Sequence, residues 1–469
     1  MTKSTSRFST KRLVSILIPV GLLFVGVGYL ANAYLPIASS YNAKIMCSCV
    51  FVAKRSAEDA RASDLKAFQA YVNTEVNQEE QYASASVFGL FERVAAYRPG
   101  LGCALLGGRE RKAVQARQYQ ATRTRSLTPA SEEINWAPAD SLLEGIDQQQ
   151  IQLTLDKAFS EPDPELLQNT RAVVVLHKGN LIAERYAPAF DQASRLLGWS
   201  MSKSVTATLI GMLIKDKRLN LMEAAPVPEW QADERKAITI DHLLRMSDGL
   251  GFEENYAAPS NATYMLFREP DAGGYAASVS LAHAPDTKWN YSSGSSNILS
   301  RIIRDQFESD DAYYSFVYDS LFARINMQSA VFEPDANGTM VGSSYMYATA
   351  RDWARFGQLY VQGGEWNGQS LLPDDWATYV STRTPTAPHG EYGAHFWMNA
   401  TSSDPDWPMD RQFAGVPPDA YYASGFEGQY VVIIPSLDLV VVRLGLTGDR
   451  RAWDLGAFLA GIIQGIPGS

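Results

Sequence analysis

Two strand pairs, separated by about 240 residues, limit the possible folds more than any other feature. The first pair lies at 171–186, where β-branched residues precede a tight turn at 178–180. The second pair lies at 430–444 and turns at 435–438. Both have the pattern of a β-hairpin, and the long segment between them is mostly helical or loop-like. We therefore predict an α+β fold, in which an antiparallel β-sheet is completed from both ends of the chain, flanked by helices and accompanied by a helical subdomain.

The 469 residues are enough for one large domain and an extension before it. The stretch 56–81 is charged and rich in alanine, and Leu65, Phe68 and Tyr71 have helical spacing, so we expect the extension to be partly helical. The pattern that contains the hairpins starts near Ile151. The three predicted regions are an N-terminal signal-anchor or signal peptide at 1–35, the extension at 36–150 and the main domain at 151–469.

The N-terminus carries the signal of an exported protein. An uncharged run at 13–31 is about long enough to cross the hydrocarbon core of a membrane. Positive charge stays on the cytoplasmic side, so we expect the rest of the chain to face the periplasm from an inner-membrane anchor. The small residues Ala31 and Ala33 are typical of a signal-peptidase site, so cleavage and release into the periplasm stays an alternative. The basic residues before the run are Lys3, Arg7, Lys11 and Arg12.

The chain has three cysteines, which an oxidising compartment would allow to form one disulfide. Cys47 and Cys49 are separated by a single residue and are poorly placed to bond to each other. We expect one of them to pair with Cys103, and the sequence leaves open which one. The cysteines and histidines do not have the spacing of a metal site, so we predict neither a metal nor a cofactor.

The overall charge disfavours one class of partner. The net charge is −10, and no basic stripe lies beyond the N-terminus. Nucleic-acid binding requires a basic surface, so we expect no nucleic acid. The expected partners are a small-molecule substrate and, through the N-terminal segment, a membrane. The oligomeric state stays open.

Ser200 and Lys203 form an S-x-x-K motif at the start of a segment, 205–214, that is apolar nearly all round. A serine at a helix start lies near free N–H groups, and a lysine one turn later lies on the same face. Burial disfavours a charged amine, and a neutral amine can accept the serine proton. The alternative is a serine N-cap followed by a surface lysine. A second match, Ser63 with Lys66, lies in a charged stretch, and we assign it no catalytic role.

Two further segments carry candidate site residues. Tyr291 and Ser293 lie in a loop that opens a helix, where Tyr291 could relay a proton to a leaving group and Ser293 could join its hydrogen bonds. The segment 422–429 contains Gly425 beside a strand, where a substrate backbone can approach closely. A backbone N–H there and that of Ser200 could form an oxyanion hole. Taken singly, each segment could equally be structural.

These motifs, in this order, resemble those of the serine β-lactamase and penicillin-binding-protein superfamily over residues 165–465. The chain is most similar to the class C β-lactamase-related hydrolases, and among them to the 6-aminohexanoate-dimer (nylon oligomer) hydrolases. Segments at 241–250, 347–357 and 363–368 resemble further motifs of the family. The resemblance implies a β-lactamase/transpeptidase-like fold. It also implies these roles: acylated nucleophile for Ser200, general base for Lys203, second acid/base for Tyr291 and donor of the second oxyanion N–H for Phe426.

Two positions depart from the family pattern. β-Lactamases and penicillin-binding proteins carry Lys-Thr-Gly where this chain has Ala423, Ser424 and Gly425, so the cation that would meet a substrate carboxylate is missing. The asparagine of Tyr-x-Asn is replaced by Ser293. Both departures disfavour antibiotic hydrolysis, and we predict a serine hydrolase that cleaves an amide or ester through an acyl-enzyme. The alternatives are a peptidoglycan DD-peptidase or carboxypeptidase, an inactive binding or sensing module of the same fold, and an anchored scaffold that binds through 36–150.

Aromatic, histidine and acidic residues near these motifs complete the candidate set. His389 and His395 could border the pocket, whereas Glu253 and Glu254 are interpreted as solvated acidic surface. Five aromatic residues could wall a cleft or belong to the core; they are Trp289, Trp397, Trp407, Tyr421 and Tyr422.

Overall fold

The computed structural model describes residues 10–120, 134–399 and 413–467, and for residues 10–27, 29 and 142 it describes the backbone alone. The N-terminal region consists of α1 (Thr10–Phe51), α2 (Ala57–Ala62), β1 (Val72–Asn77), β2 (Tyr82–Val87), β3 (Leu90–Arg98), β4 (Gly102–Leu105) and α3 (Arg111–Gln115). Trp407, one of the residues predicted to wall a cleft, lies outside the described residues.

The main domain continues with strands and helices in the following order. Its first half contains α4 (Gln148–Ala158), β5 (Thr170–His177), β6 (Asn180–Tyr186), β7 (Leu196–Leu197), α5 (Met201–Lys215), α6 (Ile240–Leu244), α7 (Asn261–Phe267), α8 (Ala272–Ala277) and α9 (Ser293–Arg304). Its second half contains α10 (Asp310–Val317), β8 (Val331–Phe332), β9 (Met346–Ala348), α11 (Ala350–Val361), β10 (Glu365–Trp366), β11 (Gln369–Ser370), α12 (Trp376–Val380), β12 (Trp397–Met398), β13 (Tyr421–Gly425), β14 (Gln429–Ile434), β15 (Leu439–Gly445) and α13 (Leu455–Ile463).

The main sheet confirms the prediction drawn from the two hairpins. It is a six-stranded antiparallel sheet in the order β12-β13-β14-β15-β5-β6, so the C-terminal hairpin pairs with the N-terminal one through β15 and β5. Alternate residues of β5 face opposite sides. Val174 packs into a core that includes α5 and α11, and Val175 into a second core with α4 and α13. Helices thus cover both faces of the sheet.

The N-terminal region is partly helical, as expected, and it also contains strands that the sequence analysis did not predict. It contains an antiparallel four-stranded sheet, β1-β2-β3-β4, that packs against α1. The prediction of a continuous helix through Leu65, Phe68 and Tyr71 is wrong, because α2 ends at Ala62, only a short 3-10 helix follows at Lys66–Phe68, and β1 begins at Val72. In β1, buried residues alternate with exposed ones, the period of a strand, and this alternation outweighs the alanine-rich composition before it.

Helix α1 contains the uncharged run at 13–31 in its N-terminal half and continues without a break to Phe51. Among the described residues, no helix combines the length and the apolar character needed to cross a membrane.

One disulfide joins α1 to the N-terminal sheet. Cys47 is bonded to Cys103 of β4, which is one of the two pairings that the sequence leaves open. Cys49 is buried as a free thiol, and burial raises its pKa to about 12. The cross-link attaches the C-terminal half of α1 to the sheet. Because it joins cysteines that are 56 residues apart, it also restricts the unfolded chain and so favours the folded state.

A buried carboxylate, Glu333, holds the N-terminal region against the main domain. It forms an ion pair with Lys44 of α1 and accepts hydrogen bonds from the hydroxyl of Ser48 at 2.9 Å and from the backbone N–H of Cys103 at 2.5 Å. Neither Glu333 nor Lys44 is more than a few per cent exposed. Several charge-assisted hydrogen bonds compensate the desolvation of both ions. The contact between the N-terminal region and the main domain, called the joint below, therefore depends on each of these hydrogen-bonding groups.

We predict that Glu333→Ala lowers the free energy of unfolding by about 3–5 kcal/mol, because it leaves the buried Lys44 ammonium unpaired. The measurement is equilibrium denaturation of the full chain in detergent. The control is Asp156→Ala, which removes the ion pair with Arg185, whose aspartate is 64% exposed; it should cost less than about 1 kcal/mol. Equal effects of the two substitutions would contradict the importance of the joint.

Candidate active site

The nucleophile candidate, Ser200, stands at a sharp turn between β7 and α5. Trp199 before it has φ +47°, the left-handed region that a bulky residue rarely adopts. The backbone N–H of Gly198 is held by the carbonyl of Met346 at 2.8 Å, which fixes the entry to the turn. Ser200 occupies the N-cap position of α5, but its side chain does not cap the helix. Its hydroxyl is therefore free to face Lys203.

Lys203 is buried one turn along α5, and this position excludes the alternative of a surface lysine. Its Nζ lies 3.0 Å from Ser200 Oγ, 3.1 Å from Ser293 Oγ and 3.2 Å from the carbonyl oxygen of Ser343. The ring of Tyr291 faces the same nitrogen, with 4.8 Å from Nζ to the ring centroid. The structure therefore brings three of the predicted site residues, Ser200, Tyr291 and Ser293, together around the amine of a fourth. The three oxygens within hydrogen-bond distance of Nζ are two serine hydroxyls and a backbone carbonyl.

Ser293 connects Lys203 to two residues that the sequence prediction missed. Its hydroxyl donates to Glu254 Oε1 at 2.5 Å and lies 3.1 Å from the hydroxyl of Tyr256, and its backbone N–H donates to Glu254 Oε2 at 2.8 Å. The Tyr256 hydroxyl in turn donates to Glu254 at 2.8 Å. The interpretation of Glu254 as solvated surface is wrong. Glu254 is partly buried, and only its neighbour Glu253 is exposed.

The backbone around Gly425 closes the site opposite Ser200. A side chain at Gly425 would lie 2.1 Å from the carbonyl oxygen of Gly198, so only glycine permits this approach of β13 to the turn before α5. Phe426 follows, and its ring packs edge-on against Trp199 at 5.9 Å. Within the described residues, the N–H groups of Ser200 and Phe426 have no hydrogen-bond acceptor. Two free donors on facing segments have the composition of an oxyanion hole.

The predicted aromatic wall is only partly present. Trp289 and Trp397 flank Tyr291, with ring centroids 6.4 and 5.3 Å away. Tyr421 and Tyr422 are buried in the two cores beside β13, where they pack against other rings and do not line an opening. The alternating faces of β13 separate these two tyrosines from each other.

His395 is buried behind the site and does not border the pocket. Its Nδ1 lies 2.7 Å from the carbonyl oxygen of Leu244, which fixes Nδ1 as the protonated nitrogen, and Nε2 accepts from the hydroxyl of Ser296 at 2.9 Å. Burial lowers the pKa of His395 to about 3, although the hydrogen bond to Leu244 opposes this shift. The imidazole is therefore neutral and serves packing around α5 and α9.

The second S-x-x-K match has a different environment. The Ser63 hydroxyl lies 2.6 Å from the backbone carbonyl oxygen of Asp59 and 2.8 Å from the Asp64 carboxylate, to one of which it donates, and it accepts from Arg55 at 2.7 Å. Lys66 is exposed. The hydroxyl of Ser63 thus stabilises the end of α2 and has no amine beside it.

Comparison with known proteins agrees with this geometry. The sequence profile of the Beta-lactamase family matches residues 167–449. The chain belongs to this family. A curated relative, the 6-aminohexanoate-dimer hydrolase of Paenarthrobacter ureafaciens, is 24% identical over 312 residues, which cover 61% of this chain and 75% of that protein. The family resemblance seen in the motifs is confirmed.

Solved structures share the same fold. A penicillin-binding protein homologue from Caulobacter crescentus matches with a TM-score of 0.51 at 16% identity, over 68% of this chain and 98% of that chain. A class C β-lactamase in complex with cefoxitin matches with a TM-score of 0.50 at 14% identity, over 68% of this chain and 100% of that chain. This β-lactamase-family chain therefore has a β-lactamase-like α+β main domain, preceded by an N-terminal region outside the matched residues 167–449.

We predict that Glu254→Gln lowers kcat for a chromogenic ester about tenfold, because charge-assisted hydrogen bonds are about twice as strong as neutral ones and these bonds orient Ser293 toward Lys203. The measurement is steady-state hydrolysis at pH 7.5. Glu253→Gln, at the adjacent exposed position, is the matched control and should keep the wild-type kcat. A Glu254→Gln enzyme with unchanged kcat would show that the carboxylate does not support the site.

A second prediction concerns pH and His395. Because the pKa of the imidazole is about 3 in the folded chain and about 6.5 when unfolded, the unfolded chain takes up the proton first. The contribution of the neutral His395 imidazole to the free energy of unfolding is complete above pH 6.5. It is lost as pH falls toward 3, by about 1.4 kcal/mol per pH unit. The difference in unfolding free energy between wild type and His395→Gln should therefore shrink as pH falls. The exposed control His283→Gln should follow wild type, and a difference independent of pH would contradict the assignment.

Proposed function

We propose that this β-lactamase-family chain is a serine hydrolase that cleaves an amide or ester bond through an acyl-enzyme on Ser200. The observation that carries the proposal is the 3.0 Å contact between Ser200 Oγ and the buried Nζ of Lys203. An amine shielded from water and surrounded by uncharged oxygens can act as a base toward a hydroxyl at hydrogen-bond distance.

In the proposed reaction Ser200 Oγ attacks the carbonyl carbon while its proton passes to Lys203. The oxyanion accepts hydrogen bonds from the N–H groups of Ser200 and Phe426. The bond to the leaving group then breaks, and Tyr291 protonates the leaving nitrogen or oxygen. Water then attacks the acyl carbon and gives its proton to Tyr291. Lys203 returns its proton to Ser200 Oγ as the acid is released, which restores the enzyme.

The charge distribution of the site supports a substrate without the carboxylate that penicillin-recognising enzymes bind. Ala423 and Ser424 replace the Lys-Thr pair, and Glu254 adds a negative charge beside Ser293. An acidic group here would repel a substrate carboxylate. The relative named for the 6-aminohexanoate dimer, a compound joined by an amide, supports the amide alternative. Trimming of peptidoglycan peptides is the second candidate, favoured by the proposed location and disfavoured by the missing lysine.

We also propose that the main domain lies outside the cytoplasm. The basic N-terminus followed by the uncharged run at 13–31 supports insertion with the chain exported beyond it. The Cys47–Cys103 disulfide supports an oxidising compartment such as the periplasm. The chain is then either anchored through α1 or released by cleavage near Ala33.

The test is labelling with a fluorescent fluorophosphonate, combined with ester turnover, in the full chain. Wild type should be labelled on Ser200, and Ser200→Ala should lose the label and lower kcat/KM by about a thousandfold or more, as removal of a catalytic nucleophile does. Ser63→Ala, which removes the other S-x-x-K serine, is the matched control and should be labelled like wild type. Equal labelling of wild type and Ser200→Ala would end the assignment, and absence of labelling in wild type would favour the inactive binding module.

A further inference from the structure

A continuous series of aromatic rings runs from the turn before the nucleophile to the surface of the N-terminal region. Consecutive ring centroids lie 6.4, 5.2, 6.0 and 6.3 Å apart. The first pair is stacked, with planes only 4° apart. We call this series the aromatic strip; its rings are, in order, Trp199, Tyr41, Phe68, Tyr71 and Phe88.

The outer end of the aromatic strip is unusually exposed. Phe88 is 75% exposed and Leu90 is 61% exposed, and both lie at the tip of the hairpin between β2 and β3. On the other side of Trp199, Phe426 is 61% exposed as well. Single exposed apolar side chains are ordinary, but a series in mutual contact that begins beside a nucleophile is typical of a ligand-binding surface.

Folding alone does not account for the residue at the hairpin tip. Val87 pairs with Leu90, so Phe88 and Gly89 form a two-residue turn, and both have positive φ, +49° and +75°. Such turns favour asparagine or aspartate followed by glycine, because a bulky residue is strained in this conformation. Phe88 combines that strain with exposure to water. A strained, exposed aromatic residue therefore points to a role outside the folding of the hairpin.

The fully buried core of the N-terminal region is built from other residues, and of the aromatic strip Tyr41, Phe68 and Trp199 pack against it while partly buried. Leu65, Val72, Ala85 and Val87 are buried against α1 and form the interior of this region. The outermost ring, Phe88, contributes nothing to that interior. Its removal should therefore leave the N-terminal sheet folded.

We propose that the aromatic strip binds a hydrocarbon chain of the substrate, in either its acyl or its alcohol part, so that the enzyme prefers long-chain esters or amides. This inference rests on the proposed function. The ring faces offer carbon surface, whereas the hydroxyls of Tyr41 and Tyr71 and the indole N–H of Trp199 lie at ring edges. Each methylene buried on such a carbon surface strengthens binding about fourfold. The missing cation at Ala423 agrees with a substrate whose recognition is apolar. The N-terminal region then forms part of the binding cleft of the main domain.

The ring order gives the proposal a length dependence. A short octyl chain starting at Ser200 reaches only the first rings, whereas a hexadecyl chain extends toward Tyr71 and Phe88. Substitution at the hairpin tip should therefore affect the longest substrates most.

The experiment measures kcat/KM of the full chain in one fixed detergent mixture with two substrate series. The acyl series is p-nitrophenyl acetate, octanoate and palmitate, and the alcohol series is ethyl, octyl and hexadecyl acetate. We expect wild type to prefer the long chain in one series by about tenfold or more. Phe88→Ser and Tyr71→Ser should lower the long-to-short ratio about fivefold, mainly through KM, and more for the hexadecyl than for the octyl chain. The series that responds tells which part of the substrate carries the chain.

The matched control is Met222→Ser, which removes a side chain that is 70% exposed and is not part of the aromatic strip, and it should keep the wild-type ratio. The inference is overturned if wild type shows no length preference in either series, or if Phe88→Ser keeps the ratio. Loss of binding to lipid vesicles by Phe88→Ser with an unchanged ratio would also overturn it, in favour of a membrane contact. Ser200-dependent turnover without a length preference would leave the proposed function intact, whereas absence of Ser200-dependent turnover of every ester would end both.

Discussion

The buried amine of Lys203 is the feature on which the arrangement of the site depends. Taking an ammonium out of water is unfavourable, and the fold places oxygens of Ser200, Ser293 and Ser343 around the nitrogen with no ion pair to it among the described residues. The serine hydroxyl, the helix start and the loop before α9 are all positioned relative to this one atom. Burial of α5 on nearly every side makes the position possible, because a helix with a polar face would leave the amine in solvent.

A second buried charge makes the N-terminal region part of the same structure. Glu333 binds Lys44, Ser48 and the backbone of Cys103, so α1 and β4 are attached to the segment that leads into β9. The same helix presents Tyr41 to Trp199, next to Ser200, the proposed nucleophile. The region outside the family match therefore contacts the main domain at Glu333 and at the turn before Ser200.

Periodic features were predictable from the sequence, and contacts between distant loops were not. The hairpins at 171–186 and 430–444 and the apolar helix after Ser200 follow from residue spacing, which reflects burial directly. The strand at 72–77 was missed because the alanine-rich stretch before it favours a helix and only its alternation indicates a strand. Glu254 was misassigned because a carboxylate in a loop resembles solvated surface until the fold brings Ser293 to it.

The unbroken course of α1 has a mechanical consequence. Between Ala31 and Tyr41 lie about ten residues, a rise of about 15 Å in an α-helix. In the anchored alternative, with the uncharged run retained in a bilayer, the site would be held at a fixed height and tilt above the lipid, because a continuous helix joins the two in place of a flexible linker. Diffusing solutes would then have to enter a narrow layer of water, while molecules leaving the leaflet would arrive with their tails already directed toward the rings.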